Sequence, residues 1–224
     1  MSLIINEAPT ALMAAAEIAE WRAISTAVIS DELNRSGTMA AAVKPVAEGM
    51  GFAGQALTAQ TMVGDNATLH YAVSYAWLGC VMVVDARGHV DTAVWGGVLI
   101  HAAKLKGVAA LVVDGGVRDV DELKQSGVAV YARGVVPNGP HKGFGGSVNA
   151  PIQCAGVPVD PGDLVVGDAD GVVVVRPDQM DGLMARCRAR IAKEEGILKK
   201  LDAGVDSYAI QGLPPPGEFG QSLG

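Results

Sequence analysis

The sequence predicts an α/β fold, a mixed sheet core flanked by helices. Three observations carry this expectation. Apolar runs such as Ala109-Ala110-Leu111-Val112-Val113 are continuous rather than alternating, which marks strands buried on both faces. Between residues 55 and 133 such runs alternate with stretches of helical periodicity, the pattern of parallel βαβ units. After residue 134 glycine and proline dominate and the apolar runs shorten, as in hairpins packed on the α/β part.

Taken in order, helices are expected over 10–21 and 25–35, with Ser25 and Thr26 as candidate caps of the second. A glycine-rich link, Glu48-Gly49-Met50-Gly51, leads to a strand over 55–62. Helix 66–77, strand 81–85, helix 94–106, strand 108–114, short helix 119–125 and strand 128–133 follow. Short strands are expected at 151–154, 157–159, 164–167 and 172–176, the last two joined by the turn Asp168-Ala169-Asp170-Gly171. A final helix spans 177–201, and the tail 212–224 reads as an arm on a neighbour or as a disordered segment. With 224 residues, no internal repeat and no dividing linker, the chain reads as a single domain over 1–224. N-terminal helices occupy about 1–45, and a C-terminal helix plus arm about 177–224.

The net charge of -7 and the lack of a Lys/Arg cluster argue against a nucleic-acid binder. Cys80, Cys154 and Cys187 are odd in number, form no CxxC and sit in apolar runs, so buried reduced thiols of a cytoplasmic protein are expected. No signal peptide and no membrane span are read.

The strongest local signal is Asp114-Gly115-Gly116-Val117-Arg118-Asp119. A buried strand is expected to end at Asp114 and the glycines to turn the chain, leaving a cation and an anion where a helix begins. Asp119 could merely cap that helix. Arg118 opposes the helix dipole and needs another reason, and a carboxylate ligand at the carboxyl edge of a parallel sheet supplies one. Gly64-Asp65-Asn66 opens a helix in the same way, with Asn66 as cap or site wall. In Trp95-Gly96-Gly97-Val98-Leu99, paired glycines at a helix start expose amides that can bind an anion or allow close packing. On the last helix Glu194 falls inside the stripe Leu183, Cys187, Ile191, Leu198, where it is either a solvated stripe edge in a surface ion pair or a buried carboxylate that needs a partner. His141 and Lys142 in the glycine-rich loop are further anion contacts. P-loop, dinucleotide, zinc-hydrolase and GxSxG signatures are absent.

As a set, over roughly residues 25–200, these motifs resemble the RraA-like family. They are Gly64-Asp65-Asn66, Trp95-Gly96-Gly97, Gly115-Gly116-Val117-Arg118-Asp119, and the run from Pro151 through Pro161-Gly162-Asp163 to Gly167-Asp168-Ala169-Asp170-Gly171. Arg and Asp at 118 and 119 resemble its 4-hydroxy-4-methyl-2-oxoglutarate / 4-carboxy-4-hydroxy-2-oxoadipate aldolase branch. The resemblance implies a swivelling β/β/α domain, a homotrimer or homohexamer with sites between subunits, and a class II, divalent-metal-dependent (Mg²⁺ or Mn²⁺) pyruvate aldolase with oxaloacetate decarboxylase side activity. It implies that Arg118 holds the pyruvyl carboxylate and Asp119 ligates the metal directly. Glu194 of a neighbouring subunit would reach the metal through water, while backbone at Gly96, Gly97, Val98 and Leu99 touches substrate. Many relatives carry Asp or Glu where this chain has Gly97, and Asp65 or Asp91 are candidates to replace it. The family also includes regulators that bind ribonuclease E, the main alternative. A methyltransferase, the other label met in this family, lacks its glycine-rich loop here.

Overall fold

The structure, a computed structural model, describes residues 2–215. The elements are β1 (Leu3–Ile5), α1 (Ala15–Arg22), α2 (Thr26–Glu32), β2 (Lys44–Pro45), β3 (Phe52–Thr61), α3 (Ala67–Ser74), β4 (Val81–Asp85), β5 (Ala93–Trp95), α4 (Gly97–Leu105), β6 (Ala110–Val117) and α5 (Val120–Gln125). Then come β7 (Ala129–Val135), β8 (Gly146–Val148), β9 (Ile152–Cys154), β10 (Val157–Val159), β11 (Leu164–Gly167), β12 (Val172–Val175), a 3₁₀ turn (Pro177–Gln179), α6 (Leu183–Asp202) and α7 (Ser207–Ile210). The chain divides into two compact units, Met1–Leu183 and Met184–Gly224. The first holds every strand of the described residues. The second holds α7 and nearly all of α6. Most of the expected C-terminal arm, from residue 216 on, lies outside the described residues.

The main sheet runs β1-β8-β3-β4-β6-β7-β2. Strands β3, β4, β6 and β7 are parallel, as continuous apolar runs require. The long strand β3 is shared along one edge: residues 52–55 pair antiparallel with β11, and 59–61 pair antiparallel with β8. Its other edge carries β4.

Alternate residues of the central strands feed two separate cores. Met82, Val84, Leu111, Val113 and Val130 pack with Leu69 and Val73 of α3, Leu99, Ile100 and Ala103 of α4, and Leu123 of α5. Val81, Val83, Ala110, Val112 and Tyr131 pack with Ile152 and Cys154 of β9, Val157 and Val159 of β10, and Val165, Val172 and Val174 of the β11–β12 pair. Helices cover one face of the parallel sheet and short strands the other, a three-layer β/β/α arrangement with a mixed sheet. The β9–β10 hairpin turns through Ala155 (φ 49°) and Gly156 (φ 85°), the two left-handed residues that match the twist of the flanking strands. Ser25 caps α2, its side chain accepting from the Val28 amide at 3.3 Å.

Three expectations need correction. The segment read as helix from 94 opens as strand β5, and α4 starts only at Gly97. Residues 93–95 are apolar and merge with the helical stripe, but they extend the sheet beside β6, pairing with Gly116 and Val117 beyond the reach of β4, whose register with β6 ends at Asp85↔Asp114. Strand β6 does not end at Asp114 but continues through both glycines to Val117. Those glycines admit neighbouring backbone: a Cβ on Gly115 would lie 3.1 Å from the His89 carbonyl, and one on Gly116 would lie 3.0 Å from the carbonyls of Val90 and Thr92. The turn falls instead at Asp119, in the left-handed region at φ 59°. Finally, the first helix begins at Ala15 rather than near 10.

Candidate functional site

At the carboxyl ends of the parallel strands, the first turns of α3 and α4 and the end of β6 surround a hollow of about 140 Å³. This is where open α/β sheets bind ligands. Asn66, His70, Gly96, Gly97, Val98, Leu99, Arg118, Asp119 and Lys142 are among its lining residues. The structure thus brings together Gly96, Gly97, Val98, Leu99, Arg118 and Asp119, and Lys142 with them.

Asp119 does not cap its own helix α5 with its side chain. Its left-handed backbone instead turns the carboxylate onto the neighbouring segment, where Oδ2 accepts from the Gly97 amide at 2.8 Å and lies 3.6 Å from Arg118 Nε. One of the free amides at the α4 start is thereby taken. Those of Val98 and Leu99 remain in the first turn, ahead of the first helical bond, from Ile100 N to Gly96 O at 3.1 Å. Gly96 is extended at φ −165°, so its conformation does not demand glycine, but its surroundings do. A Cβ there would sit 2.5 Å from Asp119 Oδ2 and 2.9 Å from Arg118 Cγ. The side chains of Arg118 and Asp119 are 41% and 38% exposed, partly covered yet reachable.

Asn66 is not a side-chain cap of α3. Its Nδ2 donates to the Val94 carbonyl at 3.0 Å, and its buried Oδ1 has no partner. Asp65 does the local work instead. One oxygen accepts from Ala67 N at 2.8 Å, and the other from Gly143 N at 2.6 Å and Phe144 N at 3.2 Å. Backbone bonds from Asn66 N to His141 O (3.0 Å) and from His141 N to Gly64 O (2.8 Å) complete the clamp. That clamp fixes the loop bearing Lys142. His141 contributes backbone to it and does not line the hollow.

His70, one helical turn after Asn66, was missed by sequence reasoning. Only its spacing on the first face of α3 could have flagged it. Burial first, and the nearby Lys142 charge second, hold its pKa below the ordinary histidine value.

Asp65 and Asp91, the candidates to replace an acidic side chain at Gly97, are not brought to the hollow. The Asp65 carboxylate is engaged in the loop clamp, and Asp91 is exposed. Glu194 does not lie on a buried face. Leu183 and Cys187 are fully buried, but the stripe fades beyond them: Glu194 is 48% exposed and pairs with Arg190 at 3.0 Å one turn earlier, and Leu198 is exposed. Helical spacing shows which face a residue shares, not whether anything covers it.

The three cysteines are buried, and no disulfide is formed among the described residues. Burial pushes the Cys80 thiol up to about 11, so a nucleophilic thiolate is disfavoured there. No helix of the described residues is long and apolar enough to cross a membrane.

Comparison with known proteins agrees with this picture. The family model "RraA-like: Aldolase/RraA" matches residues 26–174. A Halalkalibacterium halodurans protein named "Putative 4-hydroxy-4-methyl-2-oxoglutarate aldolase" is 37% identical over 178 residues, covering 80% of this chain and 85% of its own. The structure of the RNA-processing inhibitor RraA from Thermus thermophilis superimposes with a TM-score of 0.62 at 31% identity, covering 67% of this chain and 92% of that one. Streptomyces coelicolor RraAS2, described as an unusual member of the RNase ES inhibitor RraA protein family, gives 0.76 at 26% identity, covering 84% and 98%. The matched segment holds the whole hollow and both cores of the sheet, and the chain belongs to the RraA-like family.

Proposed function

We propose that the chain is a divalent-metal-dependent carbon–carbon lyase. It cleaves 4-hydroxy-4-methyl-2-oxoglutarate or 4-carboxy-4-hydroxy-2-oxoadipate to pyruvate plus pyruvate or oxaloacetate, and decarboxylates oxaloacetate as a side activity. The observation that carries this reading is the meeting of Arg118, Asp119 and the α4 first turn around one small hollow.

The donor chemistry fits a hard divalent cation. No cluster of three or more His, Cys, Asp or Glu side chains able to hold a metal occurs among the described residues, which argues against an all-protein cage. Mg²⁺ is characteristically held by one or two carboxylates and completed by water and substrate. Asp119 offers such a carboxylate at the hollow. When bound, the cation supplies Lewis-acid stabilisation of the negative charge that develops on the keto acid.

The chain's own residues do the rest. The Arg118 guanidinium clamps the 1-carboxylate in a two-pronged contact that fixes its plane. The Val98 and Leu99 amides, at the positive end of α4, add donors for the same anionic end. Lys142 provides a second cation for the distal carboxylate of a diacid. In the proposed homotrimer or homohexamer, Glu194 from an adjoining copy is the outer metal ligand.

Pyruvate release coupled to lactate dehydrogenase, with EDTA and with added Mg²⁺ or Mn²⁺, tests the reading. Metal-dependent pyruvate formation from the hydroxy-keto diacid and from oxaloacetate is expected. Release from neither substrate in Mg²⁺ would discard the proposal.

A second reading, a non-enzymatic regulator of ribonuclease E, draws on the likeness to the two RraA structures. It is separated by measuring whether the purified chain slows ribonuclease E cleavage while releasing no pyruvate.

A further inference from the structure

Two basic side chains of the hollow, His70 and Lys142, stand close enough for the charge of one to act on the other. His70 comes from α3, one turn beyond Asn66 and on the same face. Lys142 comes from the loop that Asp65 clamps through the Gly143 and Phe144 amides. Neither side chain has a hydrogen-bond or ion-pair partner among the described residues.

The other charged groups around α3 are occupied or turned elsewhere. Arg118 and Asp119, at the end of β6, line the same hollow and lie 3.6 Å from each other. The Asp65 carboxylate accepts three backbone amides, and His141 does not line the hollow. From α4 come only Gly97, Val98 and Leu99, while His101 and Lys104 of that helix line a separate hollow. Strands β3 and β8, also packed on α3, carry no charged side chain, and the titratable Tyr71 and Tyr75 of α3 itself are exposed.

Burial and the Lys142 charge together disfavour a second cation, so the His70 ring rests neutral in the empty hollow at neutral pH. A neutral imidazole offers a carboxylate one N–H, whereas an imidazolium offers two N–H groups and a charge. A carboxylate that settles beside both groups reverses the balance, because an anion at that distance favours the protonated ring.

We propose that His70 is the specificity-determining residue of the hollow: its imidazole takes up a proton from solvent when the distal carboxylate of a diacid settles beside Lys142, and the site thereby selects dianions over monoanions. The inference rests on the diacid reading above and deepens it, by making capture of the second carboxylate proton-linked.

The test uses two keto acids of equal chain length that lack the 4-hydroxyl, 2-oxoglutarate and 2-oxopentanoate, which differ in the distal carboxylate. Their binding to the full-length chain in Mg²⁺ is measured by calorimetry in two buffers of different ionisation enthalpy, at pH values on either side of 6.5, the ordinary histidine value. Parent, His70→Gln and His70→Lys proteins are compared, and thermal melting checks each fold. The parent should bind 2-oxoglutarate more tightly than 2-oxopentanoate, with proton uptake for the diacid alone and an affinity that falls as pH rises. His70→Gln cannot become charged. It should lose the proton uptake and about 10- to 100-fold in diacid affinity at the acidic end, and far less for the monoacid. His70→Lys, a permanent cation, should keep the preference for the diacid without the proton uptake. If the parent does not discriminate between the two acids, or if His70→Gln retains the parent's preference and proton uptake, the inference is overturned. A parent that shows His70-dependent diacid binding but releases no pyruvate from the hydroxy-keto diacid sinks the reaction and leaves the role of His70 standing. An active parent whose diacid preference ignores residue 70 does the reverse.

Discussion

Replacing Gly96 by alanine removes no functional atom and so isolates geometry. Residue 96 is extended, and alanine adopts that backbone freely. Where the backbone is compatible, Gly→Ala gains about 0.4–1 kcal/mol by narrowing the unfolded ensemble. The added methyl would nevertheless meet Asp119 Oδ2 at 2.5 Å, where ordinary contact begins near 3.4 Å, so the carboxylate must retreat by about 0.9 Å. Its bond to the Gly97 amide, now 2.8 Å, lengthens or breaks with it. Arg118 Cγ, 2.9 Å from the same point, is pushed along. A displacement of about 1 Å in a positioned group can lower catalysis by about 10²-fold, or about 2.7 kcal/mol in the barrier. The expected signature is a loss of that order in kcat/KM for oxaloacetate in the coupled pyruvate assay, with a melting temperature equal to the parent's or slightly above it. A Gly96→Ala protein within about threefold of the parent, well under 1 kcal/mol of barrier, would refute the claim that Asp119 and Arg118 work in the positions seen.

Arg118→Lys keeps the charge but not the planar fork, so it should remain nearly as impaired as Arg118→Ala, read as kcat/KM on either substrate. Asp65→Ala frees three amides and loosens the loop carrying Lys142. Stability should fall by about 2–4 kcal/mol in urea unfolding, and KM should rise more than kcat falls. Asp163 is buried, and burial pushes its carboxyl up to about 6. A raised folded pKa means that the fold prefers the neutral acid. This group's stabilising contribution is therefore fully present below the unfolded value of about 3.9, and it is lost as pH rises through about 6. Asp163→Asn can still accept from the Asp160 amide, and it should raise the melting temperature at pH 7–8 while changing little near pH 4.

Much of the sheet could be read directly. Strands at Val81–Asp85, Val157–Val159 and Leu164–Gly167 agree to the residue, because each is an apolar or β-branched run stopped by turn-forming residues. Strand β5 escaped notice because Ala93, Val94 and Trp95 are chemically continuous with the helix that follows. Strands β1 and β8 are three residues each, and only their pairing with each other and with β3 makes them strands. At the site, Arg118 and the Gly96-Gly97 pair stand out in the sequence because each defies a local preference, and Asp119 stands out only by its place beside Arg118. His70 does not, because a lone histidine within a helical stretch carries no local mark of the hollow it lines. Its place in the hollow depends on Arg118 and Lys142, far along the chain, which no local pattern encodes.

The division of one β3 edge between two partners has a consequence for how the chain is made. Residues 52–55 wait for 164–167, and 59–61 wait for 146–148, while β1 waits for the same β8 segment. A nascent chain that has released only its first hundred or so residues carries β3 with that edge bare. A bare apolar edge is a template for pairing with other chains. Such late, distant closures slow folding. Truncation before residue 164 should therefore yield aggregates rather than a smaller folded domain, and expression should improve at low temperature, where bare edges collide less often before the later strands arrive.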